Sequence, residues 1–329
     1  MKALVWVVIC GAAGAVDWFS SHSSTTATIE KNPSPSDVAR ARACNASHAH
    51  ASKALRPSTA QAPNLWLVQH HQNRLAARAA ADDARATPVL VLLGDSLFES
   101  LVGTMLGQPS PVTAPSFDVE ARYGRPVAVL AIAGDATSDL LWRLPHEVVP
   151  ALRAEHRAVF VILIGTNNLV DLRCCFSAEA VADGILAVAA WLLEHVAGRV
   201  VVLDVLPRFD RWPWRGPPPC AALRGRVAEA GPFFLDEIDR INGRIASRIA
   251  ESSADDVVVT AAAERRRTNF TATLPEDRLE HLDCTPAFRA NRSLLVDDGI
   301  HLSAAGHDAL AECLLTRSRF LLRAGDAGE

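Results

Sequence analysis

One serine lies three residues after an apolar run, a position that suits nucleophilic chemistry. Val89–Leu93 is uninterruptedly apolar, and Gly94, Asp95 and Ser96 follow it before the pattern turns helical. Such a run predicts a parallel strand covered on both faces, and open α/β sheets place their chemistry at the carboxyl ends of these strands. The first amides of a helix also favour a developing negative charge. Ser96 is therefore a candidate nucleophile; the alternative is that Asp95 or Ser96 only caps the helix.

An acid and a histidine near the end of the chain could activate this serine. Asp298 precedes His301 by three residues, just before the last predicted helix. On a tight loop, a carboxylate at that spacing can accept from the Nδ1–H of the imidazole and leave Nε2 free as a base toward a serine hydroxyl. Ser96, Asp298 and His301 therefore predict the nucleophile, orienting acid and base of serine hydrolysis. Taken singly, an Asp-x-x-His sequence is usually a surface loop before a capped helix.

Two further loops offer donors for the oxyanion of a tetrahedral intermediate. Gly134 follows the second predicted strand, where its backbone N–H could approach a substrate closely. Asn167 follows the third predicted strand and brings a side-chain amide to the neighbouring strand end. Each such donor contributes about 10²-fold or more in rate. With the amide of Ser96 they predict an oxyanion hole, although a turn glycine and an asparagine-rich turn would look the same.

Alternating strands and helices must position these residues. The alternation predicts an α/β protein with a parallel sheet covered by helices on both faces. A proline, Pro145, interrupts the second predicted helix. The predicted strands are 89–93, 126–133, 159–164, 200–206 and 257–260, and the predicted helices are 64–81, 136–154, 178–196, 233–249 and 304–322.

Together the motifs resemble the four conserved blocks of the SGNH (GDSL) hydrolases. The blocks are Gly-Asp-Ser-Leu at 94–97, Gly-Asp at 134–135, Gly-x-Asn-Asn at 165–168 and Asp-x-x-His at 298–301. The resemblance implies a flavodoxin-like three-layer α/β/α sandwich with a five-stranded parallel sheet. It also implies a Ser96, His301 and Asp298 triad, and an oxyanion hole formed by Ser96, Gly134 and Asn167.

Other segments resemble the catalytic subunits of intracellular platelet-activating factor acetylhydrolase. They include Trp66 with Gln69-His70, Leu141–Leu144 after Gly134-Asp135, and Leu206–Arg208. The sequence departs from these families at Val129, where many members carry an asparagine. The cytosolic acetylhydrolase lacks three features of this chain: an insert at 208–231, the N-terminal apolar run and the cysteines. The substrate of the acetylhydrolase is therefore not carried over to this chain.

The N-terminus indicates export. Residues 1–15 combine a lysine, an apolar run and a small-residue site, which predicts a cleaved signal peptide, with an uncleaved anchor as the alternative. Residues 16–63 are rich in Ser, Thr, Ala and Pro and predict a flexible segment before a hydrolase domain at 64–329. No later segment is apolar for long enough to predict a stable membrane span. The net charge of −4 and the absence of a basic aromatic stripe argue against nucleic acid.

Cysteines and sequons agree with this route. After removal of the signal peptide six cysteines remain, an even number suited to disulfides. Two bridges among four of them would join the loops around the site and leave Cys44 and Cys313 available as a third pair, although sequence alone leaves the connectivity open. The four are Cys174, Cys175, Cys220 and Cys284. The sequons at Asn45, Asn269 and Asn291 predict a glycoprotein.

Three other features have ordinary interpretations. The Pro- and Trp-rich insert at 208–231 is either a lid over the site or a surface loop held by disulfides. His70 and His71 are expected on a helix surface, and Arg265–Arg267 in a solvated turn or a processing site. No histidine spacing typical of a metal site is present, so neither a metal nor another cofactor is expected.

These observations predict a secreted serine esterase. Its expected substrate is a small-molecule ester, with a short acyl group or a carbohydrate slightly favoured over a lipid because only 6% of residues are aromatic. The alternatives are an O-acyltransferase acting on glycans, a phospholipid or platelet-activating-factor type acetylhydrolase, and a non-catalytic binding protein. The sequence does not indicate an oligomeric state.

Overall fold

The protein is a three-layer α/β/α sandwich around a parallel sheet. The computed structural model describes residues 63–85, 87–110, 118–170, 177–210, 234–254 and 277–321. The sheet has five parallel strands in the order β2-β1-β3-β4-β5, which is the flavodoxin-like order. The strands are β1 Val89–Gly94, β2 Val127–Ala131, β3 Ala158–Leu163, β4 Arg199–Leu203 and β5 Leu279–Leu282. The fold predicted from the sequence is therefore confirmed.

Both faces of the sheet are covered, which explains the unbroken apolar runs of its central strands. Every residue of β1 and β3 is buried. Along β1, Val91 belongs to one core and Leu92 to the other, as the two-residue period of a strand requires. Leu92 pairs with Val129 of β2 on one side and Val161 of β3 on the other.

Two sets of helices form the outer layers. Helices α1, α4, α5, α6 and α7 pack on the Val91 face, and α2, α3, α8 and α9 on the Leu92 face. None of the described helices is long and apolar enough to cross a membrane. Their bounds are α1 Pro63–Ala84, α2 Ser96–Glu99, α3 Val119–Tyr123, α4 Thr137–Glu147, α5 Val149–Leu152, α6 Ala178–His195, α7 Leu235–Ala254, α8 Thr285–Ala290 and α9 Ala304–Arg317.

The structure shows one strand that was not predicted and corrects one predicted helix. The fifth strand of the sheet is Leu279–Leu282, whereas the predicted 257–260 lies outside the described residues. Pro145 does not interrupt the helix, because α4 continues through it to Glu147. The Glu147 carboxylate binds Arg143 one turn earlier, which stabilises the last turn despite the proline.

Several predictions fall outside the described residues. They are the signal peptide (1–15), nearly all of the N-terminal segment (16–62), most of the insert (211–231), Arg265–Arg267, the sequons at Asn45 and Asn269, and Cys44, Cys174, Cys175 and Cys220.

Candidate active site

Ser96 lies where β1 turns into α2. Gly94 is required at this point because a Cβ there would lie 2.2 Å from the carbonyl oxygen of Leu163 on β3. Asp95 caps the helix, since its Oδ1 accepts from the backbone N–H of Leu97 at 3.0 Å. Ser96 is therefore the first residue of α2, at the carboxyl edge of the sheet, and only 5% of its surface is exposed. The capping role thus belongs to Asp95, and the Ser96 hydroxyl is not used for it.

The acid and base occupy a tight loop before α9. An isolated bridge between Leu295 and Leu302 closes this loop. Within it, Asp298 Oδ1 accepts from the backbone N–H groups of Ile300 at 2.8 Å and His301 at 2.9 Å. Gly299 has a φ of +73°, a left-handed conformation that favours glycine. The loop therefore fixes the carboxylate beside the imidazole.

The three predicted residues form a continuous hydrogen-bonded chain. Asp298 Oδ2 lies 2.6 Å from His301 Nδ1, and His301 Nε2 lies 2.9 Å from Ser96 Oγ. Because the carboxylate can only accept from Nδ1–H, Nε2 is left to accept the serine proton. Both distances are within the reach required of a nucleophile and its base.

Hydrogen bonding keeps Asp298 ionised. Burial raises the pKa of its carboxyl, but the hydrogen bond and charge of His301 and the two backbone N–H donors outweigh burial, so the pKa is lowered overall. An ionised carboxylate can stabilise the imidazolium that forms when His301 takes up a proton.

A buried glutamate holds the loop that carries Gly134. Glu99 lies one turn after Ser96 on α2 and is fully buried. Its Oε2 accepts from the backbone N–H of Ala133 at 2.6 Å, while Oε1 accepts from Gly107 N–H at 2.8 Å and Thr104 Oγ1 at 3.0 Å. Gly134 follows with a φ of +87°. The helix of the nucleophile thus also fixes the loop of one predicted oxyanion donor.

Asn167 is fixed from the same loop. Its Nδ2 donates to the carbonyl oxygen of Asp135 at 2.9 Å, and an amide nitrogen carries a second N–H for another acceptor. The neighbouring Asn168 holds the two loops together, since its Oδ1 accepts from the backbone N–H of Thr137 at 3.1 Å and its Nδ2 donates to Thr137 Oγ1 at 3.0 Å. The structure therefore places Gly134 and Asn167 in adjoining loops.

A fully buried arginine connects these loops to the ends of the strands. Arg143 Nε donates to Asp135 Oδ2 at 2.7 Å, and the other nitrogens donate to the carbonyl oxygens of Gly94 and Leu130, both at 2.8 Å, and to Glu147. Although burial lowers the pKa of the guanidinium, Glu147 and Asp135 raise it above its ordinary value. Arg143 thus ties the ends of β1 and β2 to the residue that follows Gly134.

His70 belongs to this network, so the expectation of a helix-surface histidine is wrong for it. His70 is 9% exposed, and its Nδ1 lies 2.7 Å from Glu147 Oε1. Trp66 stacks on the same ring and donates from Nε1 to Asp135 Oδ1 at 2.7 Å. His71, in contrast, is exposed as expected. The charged partner of His70 is 77 residues away in the sequence, which is why local spacing misses it.

The predicted cysteine pairing is also corrected. Cys284, at the start of α8, is bonded to Cys313 on α9. The disulfide therefore connects two helices of the same layer, and Cys284 is not bonded to another loop of the site. Pairing depends on which helices pack together, and α8 and α9 share one core.

Sequence reasoning did not predict the supporting roles of Glu99, Arg143 and His307. His307 on α9 is buried, its Nε2 lies 3.1 Å from Ser100 Oγ, and burial lowers its pKa to about 4. Charged residues within apolar, buried segments were the available signal, since such groups are rarely buried without partners. Within the described ranges, no group of three or more His, Cys, Asp or Glu side chains could hold a metal ion.

Comparison with known families identifies the family of this chain. Residues 92–309 match the GDSL-like lipase/acylhydrolase family. The chain therefore belongs to this family, and it is a hydrolase. The family resemblance found from the four motifs is thereby confirmed. A search of curated proteins gave no match.

Solved structures give distant similarities. A GDSL-like lipase from Bacteroides thetaiotaomicron is 15% identical, with 76% of this chain and 95% of that chain covered and a TM-score of 0.46. A protein from Streptococcus pneumonia whose name refers to platelet activating factor is 17% identical, with 79% and 95% covered and a TM-score of 0.43. A variant of an acetyl-xylooligosaccharide esterase from Geobacillus is 17% identical, with 70% and 93% covered and a TM-score of 0.41. Similarities at this level do not define a substrate.

Proposed function

We propose that the protein is a serine esterase that hydrolyses carboxylic esters through an acyl-enzyme. The observation that carries this proposal is the chain from Asp298 through His301 to Ser96, with contacts of 2.6 and 2.9 Å. In this proposal Ser96 is the nucleophile, His301 the general base and acid, and Asp298 the orienting carboxylate.

The reaction proceeds in two halves. His301 Nε2 takes the hydroxyl proton as Ser96 Oγ bonds to the acyl carbon, and the carbonyl oxygen becomes the oxyanion. Collapse of this intermediate breaks the bond to the alcohol oxygen, which leaves with the proton from His301. Water then repeats the sequence on the acyl-enzyme and releases the carboxylic acid, which restores the serine hydroxyl.

The oxyanion donors in this proposal are the backbone N–H groups of Ser96 and Gly134 and the side-chain N–H of Asn167. The proposal is supported by the position of Ser96 at a helix N-terminus and by the left-handed φ of Gly134. It is supported further by the Asn167 amide, which uses one N–H on Asp135 and has a second N–H to donate.

The experiment is ester hydrolysis by the wild-type protein and by Ser96→Ala. We expect the variant to lose about 10³-fold or more in kcat, because it removes the nucleophile of a triad that acts as a unit. Ser318→Ala is the matched control, since Ser318 is also buried but its Oγ donates to Glu280 just beyond the end of α9, and this variant should keep its kcat. Full activity of Ser96→Ala would contradict the proposal.

For the substrate we propose a short-acyl or carbohydrate ester. One observation favours a lipid ester as the second candidate: four large apolar side chains, Leu67, Val68, Leu75 and Val102, are 47 to 53% exposed, and the first three lie on the same helix, α1. Comparing kcat/KM for p-nitrophenyl acetate, octanoate and palmitate distinguishes the two. A preference for palmitate would overturn the short-acyl proposal.

Two other outcomes would indicate a different function. Faster acyl transfer to an added sugar than to water would indicate an O-acyltransferase. Ligand binding without turnover would indicate a binding protein.

We also propose that the protein is secreted and glycosylated. The disulfide between Cys284 and Cys313 supports an oxidising compartment, and the Asn291 sequon lies on the exposed surface. Expression in a eukaryotic secretory host tests this. We expect the protein in the medium, with its N-terminus near residue 16 and a mass that falls on enzymatic deglycosylation. Retention inside the cell with an intact N-terminus would contradict the proposal.

A further inference from the structure

Arg208 is a buried charge at the same sheet edge that the proposed mechanism does not use. It follows β4 by five residues, and only 3% of its surface is exposed. Buried arginines require partners for their donors, because an unpaired buried charge is costly. The partners of Arg208 therefore indicate what it holds in place.

One end of the guanidinium contacts the peptide unit before Asn167. Arg208 Nη1 donates to the carbonyl oxygen of Thr166 at 2.8 Å and contacts Thr166 Oγ1 at 3.2 Å. That carbonyl belongs to the peptide bond joining Thr166 to Asn167. Arg208 thus contacts the peptide unit whose nitrogen belongs to Asn167.

The other end forms a bidentate pair. Nε and Nη2 donate to the two carboxylate oxygens of Asp210, each at 2.7 Å, and the guanidinium lies over the ring of Phe234 at 4.8 Å. A planar fork is needed for this geometry, and the ammonium group of lysine cannot reproduce it.

The segment between Arg208 and Asp210 also contacts the loop of the acid and base. The backbone N–H of Phe209 donates to the carbonyl oxygen of Gly299 at 2.7 Å. A Cβ on Gly299 would lie 2.9 Å from the backbone of Phe209 and Asp210, so this close approach requires glycine. Gly299 lies between Asp298 and His301, and segment 208–210 therefore joins this loop to the loop of Asn167.

We propose that Arg208 is a positioning residue that keeps the oxyanion donor Asn167 aligned with the loop of Asp298 and His301. This inference rests on the proposed esterase function. Among the described residues the guanidinium donates to Thr166 and Asp210 and not to the side chains of the triad. It acts through Thr166 on one side and through Asp210 and Phe209 on the other. A donor displaced by about 1 Å costs on the order of 10²-fold in rate, because its interaction is made only in the transition state.

The test compares Arg208→Lys and Arg208→Ala with the wild-type esterase. We expect kcat on p-nitrophenyl acetate to fall about 10- to 100-fold in both variants, with KM changed less than about 3-fold, because transition-state alignment is lost while ground-state binding is kept. Added guanidinium ion at millimolar concentration should restore part of the kcat of Arg208→Ala, whereas methylammonium should not. A purely structural role would lower the melting temperature without this selective rescue.

Arg244→Lys is the matched control, since Arg244 forms an exposed pair with Asp183 at 3.0 Å between α7 and α6. If the Arg208 variants do not fold, Asp210→Asn decides, because it removes one of the two guanidinium contacts and keeps the arginine. We then expect a smaller loss of kcat, about 3- to 10-fold. If Arg208→Lys folds and has the wild-type kcat, the inference is overturned while the esterase function stays intact. If Arg208→Lys does not fold, a folded Asp210→Asn with the wild-type kcat overturns it in the same way. An inactive wild-type protein would instead overturn the proposed function.

Discussion

Glu99→Gln should separate the alignment of the oxyanion loop from the stability of the fold. The two carboxylate oxygens of Glu99 accept from three donors: Ala133 N–H on one oxygen, and Gly107 N–H with Thr104 Oγ1 on the other. Glutamine has the same shape but offers only one accepting oxygen. The less costly orientation keeps the two contacts of Oε1 and turns the amide N–H₂ toward the N–H of Ala133.

This donor-to-donor contact should displace the loop next to Gly134. A hydrogen bond to a charged group contributes about 1.5 to 3 kcal/mol, and part of its loss is offset because a buried charge is also removed. We therefore expect the free energy of unfolding to fall by only about 1 to 2 kcal/mol. We expect kcat to fall more, by about 10- to 100-fold, because one oxyanion donor is misplaced.

The assay is kcat and KM on p-nitrophenyl acetate together with urea unfolding of the same samples. Glu280→Gln is the control, since Glu280 also accepts on both oxygens, from Ser318 Oγ at 2.6 Å and Arg319 N–H at 3.0 Å, at the far end of α9. It should lose stability to a similar extent and keep its kcat. Equal kcat in Glu99→Gln and the wild type, with the variant folded, would refute this reasoning.

Three further changes have defined outcomes. Asp298→Asn should lower kcat by about 10³- to 10⁴-fold, because the amide favours the wrong imidazole tautomer, and unchanged kcat would contradict the role of Asp298. Burial raises the pKa of Asp95 to about 7, so ionising this carboxyl in the folded protein is costly. As the pH rises from about 4 to about 7, the melting temperature of the wild type should therefore fall relative to that of Asp95→Asn. A constant difference between the two melting temperatures would contradict this. Replacing both Cys284 and Cys313 by alanine should cost about 2 to 4 kcal/mol in urea unfolding, because the bond closes a loop with a sequence separation of 29, and unchanged stability would argue against that bond.

Most of the sheet was predictable because its central strands are buried on both faces. In an α/β protein a short unbroken apolar run is typical of a buried parallel strand. The predicted starts of β1 and β3 therefore lie within one residue of the observed starts. The residues that follow those strands were then placed at one edge by the parallel topology alone.

The fifth strand was missed because its sequence is mixed. In Leu279–Leu282 the two central residues are charged or titratable, and each finds a specific partner: Glu280 binds Ser318, and His281 Nε2 lies 2.6 Å from Asp204. These partners are far away in the sequence. The apolar segment 257–260 matched a strand pattern better by composition, and composition does not contain such pairings.

The supporting network could not be derived for the same reason. The interpretation of His70 depends on Glu147, and the burial of Arg143 depends on carbonyl oxygens at the ends of two different strands. Motifs predicted which groups could react. The groups that hold them in place became evident only from three-dimensional contacts.

The most direct test of the central claim is to identify the residue that forms the covalent intermediate. The folded protein is treated with a fluorophosphonate, digested, and the modified peptide is located by mass spectrometry. We predict one modification, on Ser96, and its loss in both Ser96→Ala and His301→Ala, because the hydroxyl needs the imidazole to become nucleophilic. Labelling at another serine, or undiminished labelling of Ser96→Ala, would contradict the account.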